Sequence, residues 1–189
     1  MEKESIYKNL NLINKELIFI NSLGYDIHRS KITFFNKRNK ISLGGYSFLS
    51  KYKFIAHSDG DLIIHAIIDS LSNLIFKKDI GELFPDKDPK YKNIVSKKLL
   101  NIFLKQIEEK IIKRNIYIKF VSLDILLVSD IIKISPIKEN IISSLKEFFP
   151  DTIISIKGKT LEKVYKKNTN ICYVLSTILI DKSFYNSLT

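Results

Sequence analysis

The chain has three histidines, His28, His57 and His65, and all of them lie in one short stretch. His28 follows Asp26 by two residues on a predicted strand, so the two side chains project from the same face. His65 lies on a predicted helix and would complete a set of one carboxylate oxygen and two imidazole nitrogens. Such a set suits Zn²⁺ with a fourth coordination position open, which is typical of a catalytic site. The spacing also fits a surface ion pair beside an unrelated helix histidine, because ligands from separate segments are a weak signal.

Two aspartates flank His65 on the predicted helix. Asp61 lies one turn before His65 and Asp69 one turn after it, so all three share a helix face. A carboxylate near a ligating histidine often holds the ring in place. We therefore predict that Asp61 and Asp69 support the metal ligands, with Asp69 either orienting the His65 ring or acting further out.

A second polar cluster lies between Asp79 and Asp86, in a segment interrupted by Gly81 and Pro85. Aspartates on a loop accept hydrogen bonds well, so both are suited to the hydroxyl groups of a polyol. The ordinary alternative is that both aspartates are turn residues, a position that aspartate often occupies.

A third cluster, Lys157-Gly158-Lys159-Thr160-Leu161-Glu162-Lys163, follows a predicted strand. Gly158 allows the backbone to approach a ligand, and the lysines and Thr160 can donate to phosphate. Glu162 can hold a hard cation. The segment lacks the spacing of a P-loop, which excludes a Walker-type nucleotide site.

The composition limits the class of protein. At 189 residues and 22.0 kDa the chain fits one domain, and 45% hydrophobic with 27% charged residues is ordinary globular usage. The net charge of +11 comes almost wholly from lysine, in a composition that AT-rich codons produce. Arginine, which nucleic-acid readers favour, is scarce, so we expect no nucleic-acid partner. The single Cys172 excludes an intramolecular disulfide, and no apolar run approaches the roughly 20 residues of a membrane helix.

Strands and helices alternate along the chain, which predicts an α/β or α+β domain with one mixed sheet. The predicted strands are Leu17–Ile27, Lys31–Phe35, Lys40–Phe48 with a break at Gly44-Gly45, Tyr117–Val128, Thr152–Lys157 and Ile171–Ile180. The predicted helices are Asp59–Phe76 with Ser58 as N-cap, Ser96–Lys113 and Pro136–Phe149. Asp79–Pro89 is predicted to be a loop.

These motifs, taken together, resemble the 2-C-methyl-D-erythritol 2,4-cyclodiphosphate synthase family from about Gly24 to Ile180. The segments that carry the resemblance are Gly24–His28, Ile41–Gly45, Ala56–Asp61 with His65 and Asp69, Asp79–Gly81 and Leu83–Asp86. The resemblance implies a single domain with a mixed four- to five-stranded sheet and helices packed on one face. It also implies a homotrimer whose sheets line the axis and whose active sites lie between subunits. The domain would span residues 21–182, with an N-terminal extension over 1–20 and a tail over 183–189.

The resemblance also implies roles for individual residues. The zinc ligands are Asp26, His28 and His65, with Mn²⁺ or Co²⁺ as other metals for that site, and Glu162 holds a second cation, Mg²⁺ or Mn²⁺. Transition-state stabilisation falls to His57 and Thr160. The substrate-binding residues are Ser58, Asp79, Ile80, Gly81, Phe84, Asp86, Ser129, Lys133, Ile134, Ser135, Lys159 and Lys163.

The implied reaction converts 4-diphosphocytidyl-2-C-methyl-D-erythritol 2-phosphate to the cyclic diphosphate and CMP, in the non-mevalonate isoprenoid precursor pathway. The partners would then be a small CDP-linked substrate and two further copies of the chain, with no membrane. The composition and the N-terminal extension fit a plastid-type, apicoplast-like organelle, and a bacterial cytoplasm explains the composition equally well.

Three alternatives stay open on the sequence. The segment Val164–Asn170 has neither glycine nor arginine, whereas the family carries a glycine-rich loop with an arginine there. A non-catalytic nucleotide- or metal-binding relative that kept the fold would tolerate that loss. A zinc phosphohydrolase of another pathway would use the same ligands, and the charge alone suggests a nucleic-acid-binding module.

Overall fold

A five-stranded mixed sheet is the centre of the molecule, with strand order β4-β1-β7-β5-β6 and β2–β3 forming a separate hairpin. Only β5 and β6 run parallel to each other. The computed structural model describes residues 15–33, 39–56, 58–85, 87–162, 164 and 168–187. The strands are β1 Leu17–Ile32, β2 Asn39–Leu43, β3 Tyr46–Ser50, β4 Tyr52–Ile55, β5 Ile118–Ser129, β6 Ile153–Lys159 and β7 Thr169–Asp181. The helices are α1 Leu62–Phe76, α2 Ile80–Leu83, α3 Ser96–Arg114, α4 Lys138–Lys146 and α5 Lys182–Asn186, with a 3-10 turn at Ser135–Ile137.

Helix α1 packs flush on strands β1 and β7, and its apolar residues form much of the core. The contact is close at Gly24, where a Cβ atom would lie 2.3 Å from the Ala66 carbonyl oxygen and 2.4 Å from the Ser70 nitrogen. Only glycine lets the strand and the helix approach so closely. This packing brings the residues after Gly24 on β1 next to the middle of α1.

Strand β1 is one continuous strand rather than the two that the sequence predicts. The separate strand predicted at Lys31–Phe35 is wrong, because β1 runs through Ile32, and the last two residues of that prediction lie outside the described residues. Near its end, β1 pairs with β4, a strand that the sequence analysis missed. The sheet also takes in Leu17–Ile20, which pair with β7 although we assigned them to the N-terminal extension.

Helix α1 begins later than predicted. Asp61, not Ser58, is its N-cap, and the Asp61 carboxylate accepts the backbone N–H of Ile64 at 3.1 Å. The Ser58 hydroxyl accepts instead from the Gly60 N–H at 3.3 Å. A carboxylate caps a helix at least as well as a hydroxyl, so Asp61 takes the position next to the apolar run.

Other elements depart from the prediction at their ends. The loop predicted from Asp79 contains the one-turn helix α2, held by a reciprocal capping box between Asp79 and Glu82. The helix predicted at Pro136–Phe149 is a 3-10 turn with Pro136 in its first turn, followed by α4, which ends at Lys146. Helix α5 was also missed, because five residues are too few to show a helical period.

The face of the sheet opposite α1 is apolar and exposed. Residues alternate between the two faces of a strand, so the neighbours of Gly24 project away from the helix. Phe19, Leu23 and Tyr25 of β1 are 67%, 63% and 57% exposed, and Leu175 of β7 is 43% exposed. None of the helices among the described residues is both long and apolar enough to cross a membrane.

Candidate metal centre

Asp26, His28 and His65 meet where β1 packs on α1. One ligand atom from each lies within 4.8 Å of the other two. The Asp26 Oδ2 atom lies 3.2 Å from His65 Nδ1 and 3.4 Å from His28 Nε2. The structure thus brings together the three residues that the sequence selected, although Asp26 and His65 are 39 residues apart in the chain.

The His28 ring presents one free nitrogen to this centre. Its Nδ1 atom lies 2.8 Å from the Ile27 carbonyl oxygen, which can only accept, so Nδ1 carries the hydrogen. The Nε2 atom therefore keeps its lone pair, and it is buried without a hydrogen-bond partner among the described residues. A buried nitrogen lone pair beside a carboxylate and a second imidazole fits a divalent metal ion.

The His65 ring lies in a field of negative charge. Burial lowers its pKa, but the hydrogen bond and charge of Asp26, with the charges of Asp61 and Asp59, outweigh burial and leave the pKa raised. A site that favours a proton on His65 in this way also favours a metal cation. The other ring nitrogen, Nε2, lies 3.0 Å from the Ser96 hydroxyl of α3.

The two flanking aspartates direct their hydrogen bonds elsewhere than the His65 ring. Asp61 is fully buried and accepts the N–H groups of Gly44 and Gly45 at 2.7 Å, besides that of Ile64. Burial raises the Asp61 pKa in spite of these three bonds. Asp69 accepts the Tyr25 N–H at 3.2 Å, next to the Asp26 ligand. Both aspartates therefore brace the elements that carry the ligands.

The hairpin turn at Gly44-Gly45 needs a buried hydrogen-bond acceptor, and Asp61 provides it. Both glycines have positive φ, +58° and +79°, as a tight two-residue hairpin turn requires. Their adjacent N–H groups point into the protein, where they donate to the two Asp61 carboxylate oxygens. The predicted break of the strand at these glycines is confirmed. The turn binds the β2–β3 hairpin to the start of α1 through Asp61.

The segment that begins at Asp79 forms the one-turn helix α2, which is capped by its own side chains. The Asp79 carboxylate accepts the Glu82 N–H at 2.7 Å, and the Glu82 carboxylate accepts the Asp79 N–H at 3.1 Å. Phe84 is buried against Phe103 and Tyr91, while Gly81 is exposed and Ile80 half-buried. The turn thus uses one oxygen of Asp79 internally.

The loops after β5 and β6 lie at the same sheet edge, because the two strands are parallel and Val128 pairs with Lys159. The Asp130 carboxylate accepts the Leu161 N–H at 2.9 Å, which ties the two loops together. The Thr160 hydroxyl donates to the Glu162 carboxylate. Ile134 packs against Gly158. The predicted site residues exposed here are Lys133, Ser135, Lys159, Thr160 and Glu162.

A buried asparagine links this edge to the metal strand. Asn170 is fully buried; its Oδ1 accepts from Ser129 Oγ at 2.7 Å, and its Nδ2 donates to the His28 carbonyl oxygen at 3.3 Å. The Ser129 hydroxyl in turn accepts the N–H groups of Ile131 and Ile132. Sequence reasoning missed Asn170, since nothing in its own segment marks it.

Some predicted site residues lie outside the described residues, namely His57, Asp86 and Lys163. Ser58, next to His57, is half-buried at the approach to α1. Asp59 and Ser96 were not selected from the sequence, yet they contact His65 or its partner. In the sequence, only its position among polar residues could have pointed to Asp59. Nothing could have pointed to Ser96, because it lies 31 residues from His65.

Known proteins resemble the chain over this whole architecture. The YgbB family matches residues 19–181. The 2-C-methyl-D-erythritol 2,4-cyclodiphosphate synthase of Caldicellulosiruptor bescii is 40% identical over 144 residues, which cover 74% of this chain and 83% of the relative. The apicoplast synthase of Plasmodium falciparum is 36% identical over 184 residues, covering 87% of this chain and 74% of the relative. A solved structure, the Plasmodium falciparum IspF in complex with CDP, has a TM-score of 0.64 at 32% identity, over 86% of this chain and 96% of that one.

Proposed function

The chain belongs to the YgbB family, and on that premise we propose that it is a 2-C-methyl-D-erythritol 2,4-cyclodiphosphate synthase. It converts 4-diphosphocytidyl-2-C-methyl-D-erythritol 2-phosphate to the cyclic diphosphate with release of CMP, in isoprenoid biosynthesis. Relatives of that name share 36% to 40% of its residues over most of its length. The non-catalytic alternative is not favoured, because the ligand set is intact and assembled.

The observation that carries the proposal is the assembled ligand set, with a buried, unpartnered His28 Nε2 beside Asp26 and His65. We propose that these three residues hold Zn²⁺, or Mn²⁺ or Co²⁺, and that Glu162 holds Mg²⁺ or Mn²⁺. When bound, such ions neutralise and polarise the diphosphate. Asp/His/His ligation leaves room for a substrate oxygen in the fourth position.

The reaction needs no protein nucleophile. An oxygen of the 2-phosphate attacks the β-phosphorus of the same molecule, and the bond from the β-phosphorus to the bridging oxygen breaks, so that CMP leaves with that oxygen. The contribution of the protein is therefore positioning and charge stabilisation. His57, Ser58 and Thr160 would donate hydrogen bonds to the phosphates, while Lys159 and Lys163 supply positive charge.

The remaining substrate residues fall into two groups. The capped turn at Asp79, with Ile80, Gly81, Phe84 and Asp86, would hold the methylerythritol hydroxyls through carboxylate and backbone groups. The loop after β5, with Ser129, Lys133, Ile134 and Ser135, would hold the cytidine. These loops also have to exclude water, because hydrolysis at the β-phosphorus would give an open product.

The exposed face of the sheet supports the proposal of a homotrimer. Phe19, Leu23, Tyr25 and Leu175 form an apolar surface on the side away from α1. Exposed apolar surfaces of this kind mark interfaces between proteins. We propose that three copies cover this face with their sheets around the axis, so that the site combines loops of neighbouring subunits. Sedimentation of the purified chain checks this, and a stable monomer would contradict it.

The domain limits and the location are also proposals. The synthase domain spans 21–182, with Leu17–Ile20 of the 1–20 extension adding to its sheet and a short tail over 183–189. The chain works in an apicoplast-like organelle or in a bacterial cytoplasm, since relatives of both kinds exist. Microscopy of a tagged chain in its own cells distinguishes the two.

The test is product analysis with the synthetic substrate, Zn²⁺ and Mg²⁺. We expect cyclic diphosphate and CMP in equal amounts. The matched control is 4-diphosphocytidyl-methylerythritol, which lacks the 2-phosphate and therefore cannot yield the cyclic diphosphate. An open diphosphate product, or no turnover by zinc-loaded protein, would overturn the assignment.

A further inference from the structure

We propose that Ser96 and Asp59 are positioning residues that hold the His65 ring in the orientation and tautomer required for binding a metal ion. The proposal rests on the metal site of the proposed function and adds two residues that are not ligands. They come from different parts of the fold: Asp59 precedes α1, whereas Ser96 is the first residue of α3.

The directions of the hydrogen bonds determine the tautomer. The Ser96 hydroxyl donates to the Asp59 carboxylate, because an ionised carboxylate only accepts. With its proton committed, this hydroxyl offers only lone pairs to His65 Nε2, 3.0 Å away. Nε2 therefore carries a hydrogen, which leaves Nδ1, 3.2 Å from the Asp26 Oδ2 atom, as the ring nitrogen that can offer a lone pair to a metal ion. A ring held in this way presents the correct nitrogen to a metal ion.

Burial makes these contacts hard to replace. Ser96 is 0% exposed, so water cannot readily take the place of its hydroxyl. Asp59 Oδ1 also accepts the Ser96 N–H at 3.1 Å. The N-cap of α3, Val95, has no side chain able to cap the helix, so Asp59 supplies the cap from another segment. One carboxylate therefore joins the start of α3 to the metal ligand.

This capping gives Ser96 and Asp59 a structural role as well, and the two roles have different consequences. Loss of the hydrogen bonds that join Ser96 to Asp59 lowers the melting temperature of the metal-free protein. Loss of ring positioning lowers metal affinity and changes the ligand field of the bound ion. Ser72 provides the matched control, since it is also 0% exposed and its hydroxyl donates to the Asp69 carbonyl within α1.

The experiment compares Ser96→Ala with Ser72→Ala in the full-length chain. Zinc affinity is measured by competition with a chelator, the Co²⁺ absorption spectrum reports the ligand geometry, and melting of the metal-free protein reports stability. We expect Ser96→Ala to bind zinc about 10- to 100-fold more weakly, with a shifted Co²⁺ spectrum. Ser72→Ala, which removes an equally buried hydroxyl away from the ligands, should leave zinc affinity and spectrum unchanged.

Asp59→Asn provides a second variant, which keeps an acceptor oxygen for Ser96 but removes the charge. We expect a smaller loss of zinc affinity in the same direction. If the wild type binds one zinc ion and Ser96→Ala binds it equally well with the same Co²⁺ spectrum, the positioning role is wrong and the metal site stands. If the wild type binds no zinc, the metal site is wrong and the positioning role falls with it.

Discussion

The metal centre and the edge formed by the β5 and β6 loops are built differently. Asp26, His28 and His65 lie inside a long strand and a long helix that pack flush at Gly24. The proposed nucleotide and second-cation residues lie on loops, mostly exposed, and a few hydrogen bonds tie these loops down. The difference indicates that metal binding depends on the core of the fold, whereas nucleotide binding depends on individual side-chain contacts.

Removing a ligand residue tests the metal centre, which is built into the core, and should have the largest effect. His65→Ala deletes one of three ligands, so zinc content and synthase activity should fall together, the activity by about three orders of magnitude. Metal analysis of the purified protein and CMP release check this. Lys98→Ala, on the exposed side of α3, is the control and should behave as wild type. Normal zinc content in His65→Ala would show that the ligand assignment is wrong.

The sequence predicted the metal centre better than the edge formed by the β5 and β6 loops, for physical reasons. Asp26, His28 and His65 stand out because each lies in an element whose period shows in the sequence. The hydrogen-bond partners of Asp61 and Asp69 could not be predicted, because a helix face is local while these bonds go to the β2–β3 turn and to Tyr25.

Outside the ligand set, contacts between distant segments escaped prediction. The partners of Ser96 and Asn170 lie 31 and 41 residues away, and nothing local marks either residue. The continuity of β1 was missed for a related reason, since its second half is polar and is held by pairing with β4. The short helix α2 depends on a capping box rather than on an apolar face.

Asp61→Ala tests whether Asp61 holds together the elements around the metal centre. This change leaves the buried N–H groups of Gly44, Gly45 and Ile64 without their acceptor, so the free energy of unfolding should fall by about 3–5 kcal/mol. Urea unfolding of the metal-free protein measures it. Asp69→Ala is the comparison: it removes one acceptor, from Tyr25, and should cost about 1 kcal/mol. Equal losses in the two variants would mean that the turn is not held by Asp61.

The link between the two regions is tested by Asn170→Leu. Leucine has a similar volume but no polar atoms, so the Ser129 hydroxyl loses its acceptor and the loop after β5 loses its anchor. We expect CDP affinity to fall about tenfold with zinc affinity little changed, because Asn170 contacts the metal strand through the His28 carbonyl and the Ser30 hydroxyl, neither of which is a proposed ligand atom. Titration calorimetry measures both.

The control for that variant is Ser176→Ala, which removes a buried hydrogen bond on the same strand, to Ser70, away from the loops. It should lose stability and keep CDP affinity. An equal loss of zinc and CDP affinity in Asn170→Leu would show that the metal centre and the edge formed by the β5 and β6 loops depend on each other.

The smallest effect is expected at the exposed end of the loop edge. Glu162→Gln keeps the side-chain length and an acceptor for Thr160 but removes one negative charge. The Mg²⁺ concentration for half-maximal activity should rise about three- to tenfold, with zinc content unchanged, because one carboxylate contributes part of the attraction for an exposed cation. Glu139→Gln, an exposed glutamate on α4, makes the same change of net charge and should leave the Mg²⁺ titration as in the wild type. Equal titrations for Glu162→Gln and the wild type would remove Glu162 from the second cation site. Loss of zinc in the same variant would mean that the loop edge and the metal centre depend on each other.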